Sequence, residues 1–295
     1  MKKILITGAN GFIGTHVKKE LKKRGYGIIV YDRHIPEKFD EDFWLGDVRD
    51  RNSLSEAIAL SDGAINLAGI LGTSETVDNP FPSAETNLMG GLNFLEACRQ
   101  HKKRGVQITV GNHYMNNTYS ITRSAIERFA LMYNKEHGTK VAIVRGLSVY
   151  GEHQKHKPVR KIAPNFICKA LRGEAITVFG SGNNIQDQIY VGDIAYILVE
   201  ALLNENTKFD KIYEAGTGVK TSVNDIANLV NRLTDNQAGT EHIEMRAGEI
   251  DESIVLGNPE TLKELLPNDF KFTDLETGYR KTIAWYKENY TWQKD

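Results

Sequence analysis

The sequence predicts a doubly wound α/β fold around a parallel sheet, with a smaller C-terminal lobe. Three observations carry that prediction. Short apolar runs alternate with amphipathic helical stretches up to about residue 150, glycine turns follow the strand ends, and the 295 residues contain no internal repeat. Strands separated by helices pair in parallel through right-handed crossovers, which places helices on both sheet faces.

The first strand is the run 4–6, ending at Thr7-Gly8. A helix follows over 12–24, with Ile13, Val17 and Leu21 on one side. It stops at Gly25, which accepts the left-handed cap. Lys18, Lys19, Lys22, Lys23 and Arg24 complement the negative dipole end and read as a solvated face. Strand 27–31 ends at Asp32; a strand at 43–45 leads to Gly46-Asp47 and a helix at 53–60. The alternation continues through strand 64–67, helix 83–100, strand 106–110, helix 119–136 and strand 141–144.

Beyond Gly151 the texture changes to a basic loop (His153, Lys155, His156, Lys157, Arg160), a helix, a strand at 176–179 and a glycine loop. Helices at 193–203, from the cap residue Ser222, and at 274–289 follow. The expected division is 1–151, joined by interleaved later segments, against 152–295 as the smaller lobe.

Composition narrows the function. With 40% hydrophobic and 25% charged residues the chain is globular, and a net charge of -1 supplies no field for nucleic acid. Cys98 and Cys168 lie outside any C-x-x-C motif, so neither a disulfide framework nor structural zinc is expected, and no metal site is read. No apolar run approaches a membrane span, and Met1-Lys2-Lys3 passes straight into a strand. A soluble, cytoplasmic protein without a membrane partner is the expectation.

The segment Thr7-Gly8-Ala9-Asn10-Gly11-Phe12-Ile13-Gly14 spaces three glycines between strand and helix. The first permits a tight turn, the second lets backbone approach a pyrophosphate, and the third lets helix and strand pack closely, while the helix N-terminus offers free N–H groups. This reads as a dinucleotide site. Asp32, 18 positions beyond Gly14, suits both adenosine ribose hydroxyls and repels a 2′-phosphate, favouring NAD over NADP, although Arg33 beside it is able to neutralise such a phosphate. Asp47 and Val48 are placed to bracket the adenine.

Together with Asn66-Leu67-Ala68-Gly69, the helix containing Asn87, Tyr119-x-x-x-Arg123, Arg145 to Gly151, Tyr190-Val191-Gly192-Asp193 and Arg246-Ala247-Gly248-Glu249, these motifs resemble an extended short-chain dehydrogenase/reductase of the nucleotide-sugar epimerase/dehydratase branch. The resemblance runs over almost the whole chain. It implies a Rossmann domain binding NAD, in which Leu67, Ala68, Gly69 and Asn87 also contact the cofactor. It further implies a lobe binding a nucleoside-diphosphate sugar, and chemistry begun by oxidising a sugar hydroxyl.

Tyr119 and Arg123 stand four apart at the start of a helix, on one face. The resemblance makes Tyr119 the base, but its usual partner is lysine. At about 4 Å and an effective dielectric near 20 the Coulomb attraction is of order 4 kcal/mol for either cation, so Arg123 is expected to hold the phenol near ionisation. Arginine does not surrender its proton, so a relay would differ. The family's Ser or Thr after the fifth strand is replaced by Asn112, an amide that replaces the hydrogen bond but not the hydroxyl relay, with Thr109 and Thr118 as fallback hydroxyls. His113 is read as a proton group near the site, and His137 as a dipole-compensating surface residue.

Residues 111–117 contain no carboxylate, whereas a dehydratase of this branch places an acid pair there. The expected reaction is therefore UDP-sugar 4-epimerisation: Tyr119 removes the C4 hydroxyl proton, hydride passes to NAD, and hydride returns to the other sugar face. A dehydratase or reductase, and a catalytically silent NAD-binding scaffold, are the alternatives. By resemblance Arg246 contacts the diphosphate, and Asn165, Gln186 and Tyr190 serve the nucleotide end, with Gln186 standing where arginine is common. A homodimer is implied, with Met89, Leu92, Leu95, Phe129 and Met132 as its patch or as ordinary core.

Overall fold

The computed structural model describes residues 1–35 and 41–289. The first half runs β1 (Lys3–Thr7), α1 (Phe12–Lys23), β2 (Gly27–Asp32), β3 (Asp42–Leu45), α2 (Arg51–Ala59), β4 (Gly63–Asn66), α3 (Phe81–Ser83), a π turn (Ala84–Met89), α4 (Gly90–Gln100), β5 (Arg104–Val110), α5 (Thr118–His137), β6 (Val141–Gly146) and β7 (Ser148–Tyr150). The second half adds α6 (Ile162–Leu171), β8 (Ile176–Phe179), β9 (Ile185–Gln186), β10 (Gln188–Tyr190), α7 (Val191–Leu203), β11 (Ile212–Ala215), β12 (Thr221–Ser222), α8 (Val223–Thr234), β13 (Thr240–Ile243), β14 (Ile254–Val255), a 3₁₀ turn (Pro259–Leu262) and α9 (Leu275–Asn289).

Seven parallel strands form one sheet in the order β11-β6-β5-β4-β1-β2-β3. Their apolar residues alternate between two cores. Ile4, Ile6, Ile28, Val30 and Val144 pack with Val17 and Leu21 of α1 and with α7. Leu5, Ile29, Ile143 and Val141 face Leu54 of α2, Phe94 of α4 and Ile126 of α5. Each such aliphatic contributes about 2 kcal/mol of burial, so a one-residue slip of a strand would exchange the cores. β11 comes from the late sequence yet forms the edge of this sheet beside β6.

Strand order reverses between β1 and β4, opening a crevice beyond their C-terminal ends. A third core joins α6, β8, α8 and α9 through Phe166, Ile167, Val178, Ile226, Val230 and Tyr279, and Tyr150 stacks on Tyr279 at 4.6 Å. Ser222 caps α8 in a capping box with Asp225. Among the described residues no helix is long and apolar enough to cross a membrane, and no His, Cys, Asp and Glu group is arranged to hold a metal.

One surface reading needs correction. Arg24 is not merely solvated: it bonds Glu20 and, at 2.6 Å, Glu200 of α7, pinning the two helices together. Leu95 is fully buried in the core between α4 and the sheet, whereas Met89, Phe129 and Met132 are exposed. The strands β7, β9, β10, β12 and β14 each span two or three residues, too few for a period-two pattern to register.

Candidate active site

At one end of the crevice the backbone itself forms a cradle. Gly8 turns with φ +66°, its N–H bonded to Tyr31 O, and Gly11 caps α1 without a side-chain bond. The first α1 amides therefore point outward, as an anion requires. A Cβ on Gly14 would lie 2.6 Å from the carbonyl oxygens of Gly8 and Ala9, so only glycine lets the helix pack this closely. Asp32 ends β2 nearly buried, its carboxylate accepting the N–H groups of Asn10 (3.2 Å) and His34 (3.1 Å). Arg33 is exposed beside it. These groups fit a dinucleotide with ribose hydroxyls at Asp32.

The β4 loop is held against this cradle. Thr7 Oγ1 accepts the N–H groups of Leu67 and Ala68, both at 3.2 Å. Asn87, in the π turn, accepts the Ile70 N–H (2.9 Å) and donates to Ile70 O and Ser83 Oγ, so its amide fixes the loop. Phe12 and Ile13 line the adjoining cleft. Asp47 pairs with Arg49 at 2.8 Å, and those hydrogen bonds hold its carboxyl below the usual range. Val48 is buried against Gly90, where a Cβ would collide with it.

The cleft, about 620 Å³, runs from the ends of β5 and β6 to α6 and β8. Tyr119 lines it at the start of α5, whose cap is Asn117 accepting the Ser120 N–H. Arg123 is buried one turn on, its guanidinium carbon 5.9 Å from the Tyr119 ring centre. It donates to Ala68 O (3.1 Å) and Ile108 O (3.4 Å), while its Nε is buried with no partner. A Cβ on Gly69 would overlap the guanidinium, so Gly69 makes room for the arginine. The expected ionisation of the phenol is reversed in this structure: burial pushes the Tyr119 pKa up by more than Arg123 draws it down.

The expected relay groups are occupied. Asn112 lines the cleft but turns its amide to Met115 Sδ at 3.5 Å. Thr109 Oγ1 donates to Glu127, which is clamped by Arg145 at 2.7 Å, and Thr118 Oγ1 donates to Thr76 O. Neither threonine is the fallback hydroxyl. His113 is exposed and bonds Gly111 O; His137 lies in the last turn of α5 before Gly138, φ +63°.

At the substrate end the expected residues are engaged with the protein. Arg246 is tied to Glu249 and lies 4.0 Å from Glu75, stacked on Phe179. Gln186 accepts from Ser148 Oγ (2.5 Å), and Asn165 donates to Lys161 O (2.8 Å). Tyr190 donates to the Glu152 carboxylate and does not line the cleft, because its hydroxyl turns toward α1 and the loop after β7. Sequence reasoning passed over Lys161, whose Nζ stands 5.6 Å from the Tyr119 ring centre, and over Glu75. Lysine in a basic loop gives no signal that it folds inward.

Comparison with known proteins agrees with this layout. A putative UDP-glucose 4-epimerase of Methanocaldococcus jannaschii is 28% identical, over 97% of this chain and 99% of that one. A UDP-N-acetyl-alpha-D-glucosaminuronate decarboxylase of Bacillus cytotoxicus is 26% identical, over 97% and 98%. The fold superposes on the crystal structure of a UDP-glucose 4-epimerase with UDP-glucose from Thermotoga maritima with a TM-score of 0.86, at 24% identity over 97% of this chain and 99% of that one. The glycine cradle, the Asp32 strand end and the Tyr119 helix all fall within residues 4–216, which match the family model described as NAD dependent epimerase/dehydratase, and the chain belongs to that family.

Proposed function

We propose that the protein is an NAD-dependent nucleotide-sugar 4-epimerase acting on a UDP-sugar. The observation that carries this reading is Tyr119 opening into the cleft beside the cradle, with no carboxylate in the 111–117 loop. Epimerisation asks for one base and a cofactor that stores hydride, and asks nothing more of the loop. The relatives named as an epimerase and a decarboxylase support a nucleotide-sugar substrate.

Gly8, Asn10, Gly11 and the amides of Phe12, Ile13 and Gly14 would hold the pyrophosphate, and Asp32 the adenosine ribose. Arg33, Asp47 and Val48 border the adenosine; Leu67, Ala68, Gly69, Asn87 and Arg123 would frame the nicotinamide end. NAD bound there supplies reversible hydride acceptance. Tyr119 takes the proton of the sugar hydroxyl and returns it to the same oxygen. Asn112 is assigned to orienting that hydroxyl. Arg246 would exchange part of its Glu249 contact for the diphosphate, a charge-assisted pair for which guanidinium is suited, with Gln186 and Asn165 shaping the nucleotide end. Residues 1–151 with α7 and β11 form the cofactor-binding body, and the rest the substrate lobe. The exposed Met89 of the π turn and Phe129 and Met132 of α5 favour a homodimer, and buried cysteines that form no disulfide among the described residues accord with a cytoplasmic setting.

The test is incubation with NAD and UDP-glucose, followed by NMR of the anomeric proton and by mass. The expected result is the C4 epimer at unchanged mass, with Tyr119→Phe slowing turnover by about 10³-fold. Loss of water or carbon dioxide would replace this reading with a dehydratase or decarboxylase. Cofactor binding without turnover of any nucleotide sugar would replace it with a silent scaffold.

A further inference from the structure

The walls of the cleft carry more cations than acids: Lys157, Arg160, Lys161, Lys169, Arg172 and Arg246 against Glu241 and Glu249. At the far end Lys169 pairs with Glu241 at 3.2 Å and Arg172 with Glu174 at 2.8 Å, and Arg246 is tied to Glu249. Lys161, immediately before α6, is placed differently: its ammonium lies over the Tyr119 ring, 5.6 Å from the centre. The charged groups facing it are Glu75, Glu249 and Arg246. Both carboxylates are held by other donors, Glu249 by Arg246 and by Thr73 Oγ1 at 2.6 Å, Glu75 by the Arg160 N–H at 2.9 Å. Among the described residues no carboxylate reaches Lys161 Nζ at ion-pair distance. A cation drawn out of water without an ion-pair partner is costly, and burial accordingly lowers the proton affinity of this ammonium. An anion brought in by the substrate would remove that cost.

On the epimerase reading above, which sets the reacting C4 hydroxyl at Tyr119 and the diphosphate at Arg246, we propose that Lys161 determines specificity by pairing with a carboxylate at C6 of the sugar, so that the substrate class is a UDP-hexuronate. In a hexose ring C6 hangs from C5, the carbon next to C4, so a C6 substituent travels with the hydroxyl that Tyr119 acts on. A C6 carboxylate there meets a full positive charge in a partly desolvated cleft, where an ammonium–carboxylate pair holds more strongly than in water. The C6 hydroxymethyl of a neutral UDP-hexose accepts a hydrogen bond from Lys161 but leaves its charge uncompensated. Discrimination between the two substrates is therefore electrostatic, and it arises at the sugar end, since the nucleotide end is common to both.

The experiment measures, on NAD-bound protein, the affinities of UDP-glucuronate, UDP-glucose and UDP by calorimetry, and the turnover of both sugars by NMR. The wild type is expected to bind UDP-glucuronate at least about tenfold more tightly than UDP-glucose. Lys161→Met should erase that preference, weakening UDP-glucuronate about tenfold or more while UDP-glucose and UDP stay within about threefold. Lys161→Gln, which fills the position with a neutral polar side chain, should do the same, and it decides the matter if the methionine variant does not fold. Lys161→Arg keeps the charge and should retain most of the preference. A wild type without the preference, or a preference that survives the neutral variants, overturns the proposal. So does a preference lost as fully in Lys161→Arg as in Lys161→Met, since charge would then not be its cause. An equal loss for all three ligands would make Lys161 a diphosphate contact, and an equal loss for both sugars with UDP unaffected would make it a contact to a hydroxyl they share; either result overturns it as well. If the wild type converts neither sugar, the epimerase reading fails, and the binding series still judges the Lys161 site by itself.

Discussion

The two ends of the cleft are built on opposite plans. The dinucleotide end is a backbone object, assembled from β1, the glycine turn, α1 and the end of β2 within one stretch of chain. The chemical end is made of side chains brought from α5, the β4 loop, the segment before α6 and the 246–249 segment. A backbone site depends on what is absent, since a single Cβ fills it. A side-chain site tolerates replacement when a neighbour yields space, as Gly69 does for Arg123.

The largest effect should come from breaking the backbone end. Gly14→Val places branched carbon against the Gly8 and Ala9 carbonyls, where even a Cβ stands at 2.6 Å. NAD affinity, measured by calorimetry, should fall at least about 100-fold, with about 2 kcal/mol lost in stability. Retained affinity would show that the third glycine is not needed for close packing.

At the chemical end a smaller loss is expected. Arg123→Lys gives up the paired bonds to Ala68 O and Ile108 O, and leaves the space over Gly69 unfilled. Turnover of a UDP-sugar should drop about tenfold while NAD affinity stays within about threefold. A gain in turnover would instead mark arginine as a partial defect.

The smallest effect sharpens the comparison by lying outside both ends. Hydrogen bonds from Arg99, aided by Gln100 and by Arg51 of α2, hold the Glu96 carboxyl at about 2. A depressed carboxylate contributes stability that is complete above its unfolded value near 4.5 and is lost as pH falls toward about 2. Glu96→Gln should therefore cost about 1 kcal/mol at pH 6, after allowance for solvent screening, and nothing near pH 2, by thermal melts. Turnover at neutral pH should not change.

The strand and helix order up to β6 was legible because the main elements are long enough to show their period. Gly8, Gly14 and Asp32 were legible because their task is local. Arg123 was legible as a residue but not as an acid–base partner. Its spacing from Tyr119 predicts attraction, and burial, which spacing does not reveal, outweighs that attraction. Lys161 and Glu75 gave no warning, for the groups they face, Tyr119 and Arg246, lie far from them in the chain.

Local spacing alone determined the glycine cradle, the parallel alternation and the position of Tyr119, because backbone turns and helix faces are set by residues a few positions apart. Tertiary structure alone decided which charges are buried together, which hydroxyls are already spent and which edge β11 occupies, because desolvation and ion pairing depend on distances in space between segments far apart in the chain.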